Sequence, residues 1–414
     1  MPESSLPPVI IVGAGLAGLA CALDLAAAGV AAQILEAGDG VGGRMRTDRQ
    51  AGFLLDRGFQ VFNTSYPQVQ RRIDLRALQL RPFTPGLLLH TGTGRLRFAD
   101  PTRSRRGMAD LLLGRLARPG DVVALAALSA NDMLLPVRTI TRRADRTTLA
   151  ALTEAGISAQ LTELLFRPFL AGVFLEDELE TSGRFFHLVW RSMLRGTLCL
   201  PRRGIQAVPE QLAAALPAGT IRLDAPVSSL TGDGVTLADG SELPARAVVV
   251  ATGAAAAQSL LPDLDVTATR AVTTLYHAAP VSPLAEPTLL VDTGRKVLHT
   301  CVLTEVTPGY GGDGRALVGT SVLGDSPADQ EPDVRARVAE LYQTDTAAWE
   351  HLATYPVPGA LPDMTAPHPL IRPARVAPRR YVCGDHRATG SVQGALASGS
   401  RAAREFLADT RHDA

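Results

Sequence analysis

The stretch Val9-Ile10-Ile11-Val12-Gly13-Ala14-Gly15-Leu16-Ala17-Gly18 runs into an Ala/Leu-rich segment that ends at Ala28 and is followed by Gly29. Consecutive β-branched residues read as a strand buried on both faces, the glycines as a tight turn, and the Ala/Leu run as a helix closed by a C-cap glycine. A second strand, Ala31 to Leu35, ends in Glu36, 21 residues past Gly15. Strand, G-x-G-x-x-G turn, helix, strand and acid in that order predict a dinucleotide-binding α/β unit. Each residue type has a reason. Gly13 permits the turn, Gly15 lets backbone N–H groups approach a pyrophosphate with Leu16 and Ala17 opening the helix, and Gly18 lets helix and strand pack closely. The helix N-terminus then offers unpaired donors and positive partial charge.

Composition narrows what surrounds this unit. The 414 residues are 46% hydrophobic and 20% charged, with 41 basic against 41 acidic residues. Such a chain is globular rather than disordered, and a zero balance gives no footprint for sequence-independent nucleic-acid binding. Lys296 is the only lysine, so 40 of the 41 basic residues are arginine. Cys21, Cys199, Cys301 and Cys383 are scattered. Without CxxC pairs or Cys/His clusters they read as reduced buried thiols, with no metal site. Met1 to Pro8 lacks a basic n-region, and a cytoplasmic chain is expected, with peripheral contact at the inner membrane face left open.

Glu36, followed by Ala37, can accept from adenosine ribose hydroxyls and disfavours a 2′-phosphate, which leaves FAD or NAD. Gly42-Gly43-Arg44 follows within seven residues and Asp56-Arg57-Gly58 soon after. Extra backbone donors and a guanidinium beside the same pyrophosphate favour a tightly held cofactor, hence FAD bound non-covalently.

The segment VIIVGAGLAGLACALDLAAAGVAAQILEAGDGVGGRMRT resembles the flavin-containing amine oxidase superfamily, which includes monoamine and polyamine oxidases, protoporphyrinogen oxidase and carotenoid desaturases. The far end adds to the resemblance. Tyr381-Val382-Cys383-Gly384-Asp385 reads as a strand ending in an acid. The helix beyond Ser391 and Val392 carries two rows of small residues, Gly394/Ser398/Ala402 and Ala395/Gly399/Ala403. Such rows mean that a strand or a ligand approaches the helix backbone. In the resembled family this is the second flavin motif: the acid matching Asp385 bonds the ribitol or pyrophosphate, and the helix N-terminus points at the isoalloxazine. The resemblance further implies cofactor contacts at Gly58, Phe59, Gln60, Val227, Ala251 and Thr252. It makes Pro201-Arg202-Arg203-Gly204-Ile205 a family loop.

The expected fold class is α/β: a Rossmann-like FAD-binding domain on a parallel sheet, built from 1–58, 195–265 and 368–414, interleaved with an α+β substrate domain of 59–194 and 266–367. Residues 107–170 read mostly helical; Ala271–His277, Thr288–Val291, Lys296–Leu303 and Ala316–Leu323 read as strands, and Arg335–Gln343 as a closing helix. Ala109 to Leu135, leucine-rich with few charges, reads as core in preference to a membrane-docking surface, because no lysine-rich polar face accompanies it.

Phe59-Gln60-Val61, Arg167-Pro168-Phe169 and Leu361-Pro362 resemble the bacterial phytoene-desaturase-like and protoporphyrinogen-oxidase-like branch, whose members act on large apolar substrates. That branch implies hydride removal from a substrate C–H to the flavin, with a quinone or O2 as acceptor and an apolar, isoprenoid-like small molecule as substrate. The alternatives are an amine oxidase, in which Lys296 would be the catalytic lysine, and a redox-neutral flavin isomerase. His386 and Arg387 are expected near the pyrimidine side of the flavin, where a cation would stabilise a reduced, anionic ring. Tyr355, Tyr310, Trp190 and Tyr276 are expected to line the substrate cavity.

Overall fold

The strand Val9–Val12 is buried at every position because both faces of the sheet to which it belongs are covered, one by helices and the other by a small antiparallel sheet and the helix Ala254–Leu260. The computed structural model describes residues 6–92, 94–99, 103, 117–325 and 330–412. A six-stranded sheet runs in the order Ile221–Arg222, Ala32–Leu35, Val9–Val12, Ala247–Val250, Arg380–Val382, Arg375–Ala377. All of its pairings are parallel except that of the last two strands, which form an antiparallel edge. Its strands come from three separated parts of the chain, so the nucleotide-type sheet closes only after the C-terminal segment has returned to it. A small antiparallel sheet, Val227–Leu230, Gly234–Leu237 and Glu242–Pro244, sits beside it.

The helix Leu16–Ala27 shows why glycine is needed at two positions in this layer. A β-carbon on Gly18 would overlap the carbonyl oxygen of Gly13, and one on Gly399 would overlap the carbonyl oxygen of Ala17. The long C-terminal helix, Val392–His412, therefore packs backbone to backbone on the first helix. This corrects the expectation that its small-residue rows face a strand or a ligand: at Gly399 the approaching element is another helix. Gly394 is small for a local reason, since a β-carbon there would strike Thr389 of the preceding loop.

The second half of the molecule is a seven-stranded sheet in the order Glu350–Pro362, Thr269–Ala279, Ala316–Leu323, His299–Val302, Leu289–Asp292, Gly86–Thr91, Gly94–Ala99. One face carries the helix Glu331–Tyr342 over a core of Leu88, Leu275, Leu290, Val302 and Val318. The opposite face meets the hairpin Thr47–Gln50/Phe53–Asp56 and a helical layer that includes Pro119–Leu134, Arg167–Phe174 and Gly183–Arg195. The helical reading of 107–170 holds from 119 onward in several shorter helices; 107–116, with the start of the Ala109–Leu135 stretch, lies outside the described residues. Pro168 removes an N–H from the last of these turns, and the chain passes through a π turn at Thr162–Phe166 before resuming as Arg167–Phe174. All four cysteines are buried and free.

Overpacking at the helix crossing should be costly. Gly399→Ala is expected to lower stability by about 2 kcal/mol or more. Gly120→Ala, in a helical position with nothing within 4 Å of the added carbon, should leave stability unchanged or raise it by up to about 1 kcal/mol. Denaturant melts of the two variants against the parent check both.

Candidate active site

The turn after the first strand folds around Glu36. Ala14 N–H donates to Glu36 Oε2 at 2.7 Å and Gly38 N–H to Oε1 at 2.9 Å, which fixes the half-buried carboxylate at the strand end. Gly13, at φ 106°, lies with its α-carbon close under the Ala251 carbonyl, so a β-carbon there would be 3.0 Å from that oxygen. Beyond Gly15 there is open space, and Gly42, at φ 120°, donates to the Ala14 carbonyl at 2.9 Å. Gly43, at φ 60°, brings the next turn against Gly15. The result is a cradle of backbone donors at a helix N-terminus, with an acid on its rim and room over Gly15. That donor set suits a pyrophosphate with a ribose beside it.

The two ends of the chain meet at this cradle. Arg44 Nη2 lies 2.6 Å from Asp385 Oδ2, and Arg44 Nη1 donates to the Ala360 carbonyl at 2.5 Å. Sequence spacing places Arg44 beside a pyrophosphate; in the structure its guanidinium spans Asp385 and the Glu350–Pro362 strand. Gln60 Nε2 donates to the Arg44 carbonyl at 2.8 Å, which puts the Gly58-Phe59-Gln60 turn next to the same pair. Gly384 N–H donates to Ser398 Oγ at 3.1 Å, and Ser391 Oγ accepts from Gly394 N–H at 3.0 Å at the start of the last helix. Val392 and Ala395 are half-buried there, as are Val227 on its small sheet and Thr252 beyond Ala251, whereas Ala37 is exposed.

His386 is buried, and neither ring nitrogen has a hydrogen-bond partner among the described residues. Burial pushes its pKa down to about 4, so the ring is neutral. Arg387 departs from expectation: its guanidinium donates to the Asp265 carbonyl at 3.3 Å and the Pro373 carbonyl at 2.9 Å. It pins the loop before the last helix instead of offering a free cation. Lys296 departs further. It is exposed in the turn between Leu289–Asp292 and His299–Val302, where buried Asp292 Oδ2 takes the Lys296 N–H at 3.1 Å and holds the turn. The structure thus places Lys296 as an exposed side chain of that turn.

The expected aromatic lining also divides. Tyr276 and Tyr310 are fully buried and satisfied by Asp56, through its carbonyl oxygen at 2.8 Å and its carboxylate at 2.7 Å. Trp190 donates to Ser129 at 3.1 Å within the helical core. Tyr355 alone is half-buried, its hydroxyl on Asp48 Oδ2 at 2.9 Å. Burial, followed by the Asp48 carboxylate, pushes its pKa up to about 12.

Strand register assembles a further group. Tyr355 pairs with Thr274, Thr274 with Ser321, Ser321 with His299, His299 with Val291 and Val291 with Leu89. Paired residues project from the same face, so these form one row across the large sheet. Thr274 Oγ1 accepts from Phe59 N–H at 3.1 Å, which ties the row to the turn after Gly58. The His299 ring lies 4.8 Å from the Phe59 ring, Gly172 packs against its Nδ1, and its Nε2 is buried without a partner. Burial pushes the His299 pKa down to about 4. Sequence reading missed Thr274, Ser321 and His299. The alternation Thr274-x-Tyr276 marks a strand face, but nothing local says what that face meets. Among the described residues no group of three or more His, Cys, Asp or Glu could hold a metal, and no helix is long and apolar enough to cross a membrane.

Fold and cradle together define a flavin-dependent oxidoreductase. Residues 16–407 match the family described as flavin containing amine oxidoreductase, and the chain belongs to it. Its cofactor is accordingly FAD, which the cradle, Glu36 and the Arg44–Asp385 junction fit. Coproporphyrinogen III oxidase of Propionibacterium freudenreichii subsp. freudenreichii is 24% identical over 70% of this chain and 64% of its own length. Putrescine oxidase of Kocuria rosea is 29% identical over 56% of this chain and 51% of its own. The chain thus spans about half to two thirds of these curated relatives. A candidate protoporphyrinogen oxidase from Exiguobacterium sp. 255-15 superposes with a TM-score of 0.71 at 18% identity, covering 98% of this chain and 99% of that one. At that identity the likeness shows the fold.

His299 and His386 are the most strongly depressed of five histidines that burial shifts down, with His90, His277 and His368, and they set a pH response. Between a folded pKa of about 4 for His299 and His386 and an unfolded value near 6.5, the unfolded chain binds more protons. Stability therefore falls as the pH drops through that window, by about 2 kcal/mol per histidine at pH 5. Chemical denaturation at pH 7 and pH 5 should show the loss, and His299→Asn should reduce it by about 2 kcal/mol.

Proposed function

We propose that this chain is an FAD-dependent oxidoreductase that removes a hydride from a C–H bond of a large, neutral, isoprenoid-like substrate, with a quinone or O2 taking the electrons onward. The observation that carries the reading is the wall beside Phe59. Its row runs Tyr355, Thr274, Ser321, His299, Val291, Leu89, hydroxyls and a neutral ring passing into aliphatic side chains, with no charged group. The carboxylate nearest this row, Asp48 under Tyr355, is already paired with Arg57, so a protonated amine brought against the row would lose hydration without gaining a free counter-charge, whereas an apolar molecule gains by burial.

Bound FAD supplies the hydride acceptor. The chain supplies position and exclusion of water. Thr274 holds the Phe59 turn through its backbone N–H, and Phe59 packs edge-on against Phe83 at 6.3 Å and tilted on His299. Gly172, from the helix after the π turn, closes over the same histidine. For a desaturation, a hydride leaves one carbon, a proton leaves its neighbour for solvent, and a C=C bond remains. A neutral imidazole with a pKa near 4 is a poor base for that proton, so geometry and desolvation carry the rate.

Anaerobic mixing of the holoprotein with candidate donors, followed by the flavin absorbance, tests the reading. A polyene of the phytoene type should bleach the flavin, whereas a porphyrinogen, which carries ionised propionates, should not. Putrescine should not, and Lys296→Met should react at the parental rate. Bleaching by the amine alone, or a hundredfold loss in Lys296→Met, overturns the proposal. So does product formation without consumption of an electron acceptor, the mark of a redox-neutral isomerase.

A further inference from the structure

The helix Pro119–Leu134 inverts the usual distribution of charge. Its two ionisable residues, Asp121 and Asp132, are buried. Asp121 accepts from Ser158 N–H at 2.7 Å and Ser158 Oγ at 2.9 Å, and Asp132 holds His187 Nδ1 at 2.8 Å. The exposed positions are Pro119, Gly120, Val123, Ala126, Ala127, Ala130, Asn131, Met133 and Leu134, with no charge among them. Val123 is 70% exposed and Leu134 81%. A surface helix normally shows charge to water and apolar residues to the core; here the water-facing side is an uncharged stripe roughly 24 Å long at 1.5 Å per residue.

The stripe continues past the helix end and is held there. Arg191 Nη1 donates to the Met133 carbonyl at 3.0 Å, the Leu135 carbonyl at 2.9 Å and also the Asp132 carbonyl, and Arg195 Nη1 reaches the Met133 carbonyl at 3.3 Å. Two arginines of the helix Gly183–Arg195 thus fix the Leu135-Pro136 turn, with Met133, Leu134 and Val137 directed outward, Val137 being 45% exposed. Exposed arginines border this end: Arg138, Arg142 and Arg195. Among the described residues no carboxylate pairs with any of the three. The nearby acids are occupied, Asp145 by Arg184 and Glu154 by Arg146.

We propose that this face docks on an anionic lipid surface, with Val123, Met133, Leu134 and Val137 entering the interface and Arg138, Arg142 and Arg195 meeting the headgroup phosphates. An apolar stripe bordered by arginines that pair with no described carboxylate is the chemistry of interfacial binding: apolar burial sets the depth, and charge selects anionic lipid. Of the Ala109–Leu135 stretch, expected as core, the face with Leu125 and Leu128 is core, while the opposite face of the described helix is exposed. The inference stands apart from the substrate reading, because it rests on a surface remote from the cradle residues in sequence and uses none of them.

Co-sedimentation of the FAD-loaded protein with vesicles of phosphatidylcholine, with or without phosphatidylglycerol, tests it. Wild type should pellet with the anionic vesicles and be released by high salt. Val123→Glu/Leu134→Glu should bind about tenfold or more weakly at every salt concentration. Arg138→Glu/Arg142→Glu should lose about tenfold or more on anionic vesicles while keeping its residual binding to neutral ones. Flavin content and circular dichroism unchanged in both variants show that the fold is intact. Wild type remaining in the supernatant overturns the proposal. A dimer that forms without lipid and is dispersed by Leu134→Glu also overturns it, assigning the face to a second copy.

Discussion

The carbonyl oxygen of Ala17 occupies the place where a side chain on Gly399 would begin. This contact between the first and last helices is the constraint on which the nucleotide half depends. The first helix must also sit against the Gly13 carbonyl at Gly18, so it is pressed on two sides, and only the absence of a β-carbon at each point lets it point its N-terminus into the cradle. Because the two helices lie at opposite ends of the sequence, the cradle cannot be completed until nearly the whole chain has folded. The Arg44–Asp385 pair, separated by 341 residues, is the electrostatic counterpart of the same closure. It joins the turn after the second strand to the turn before the last helix.

Legibility followed the range of the interactions. The first strand, turn and helix were readable because their determinants are local: β-branched residues that must be buried, glycines that relieve specific overlaps, an acid at a strand end. The strands Thr269–Ala279 and Ala316–Leu323 were readable for the same reason. The edge strand Glu350–Pro362 was not, since Pro356 and Pro358 argue against a strand wherever both edges must be paired, and an edge position removes that objection. The row Thr274–Ser321–His299 was invisible for a stronger reason. It exists only through register among three strands, and a slip of one residue in any of them would turn its side chain to the other face. The small-residue rows of the last helix were visible but ambiguous, because close approach has the same sequence signature whether a ligand, a strand or a helix approaches.

The helical layer shows that polarity along a sequence does not say which way a residue faces. Asp121 and Asp132 give the segment the look of an ordinary solvated helix with a leucine core, yet each is drawn inward by a specific partner, Ser158 and His187. Burying a carboxylate is unfavourable unless it is well bonded. Asp121 has three donors, counting the Arg118 N–H at 3.3 Å; Asp132 has a histidine on one oxygen and none on the other. Once those groups are inside, alanine, valine and leucine are left outside by geometry alone.

The near-absence of lysine acquires a chemical meaning from these placements. An arginine stays protonated across the physiological range, so 40 arginines supply fixed charge and forked hydrogen bonds but no amine that could lose a proton. The single lysine faces water. Of the histidines near the cradle and the row, His386 and His299 are held neutral by burial. The described part of the site therefore contains rigid cations where Arg44 and Arg387 fix the backbone, and neutral hydrogen-bonding groups beside Phe59. It offers no basic group poised near neutral pH. A reaction whose demanding step is hydride departure from carbon suits such a site, because that step needs alignment and dryness more than a proton relay.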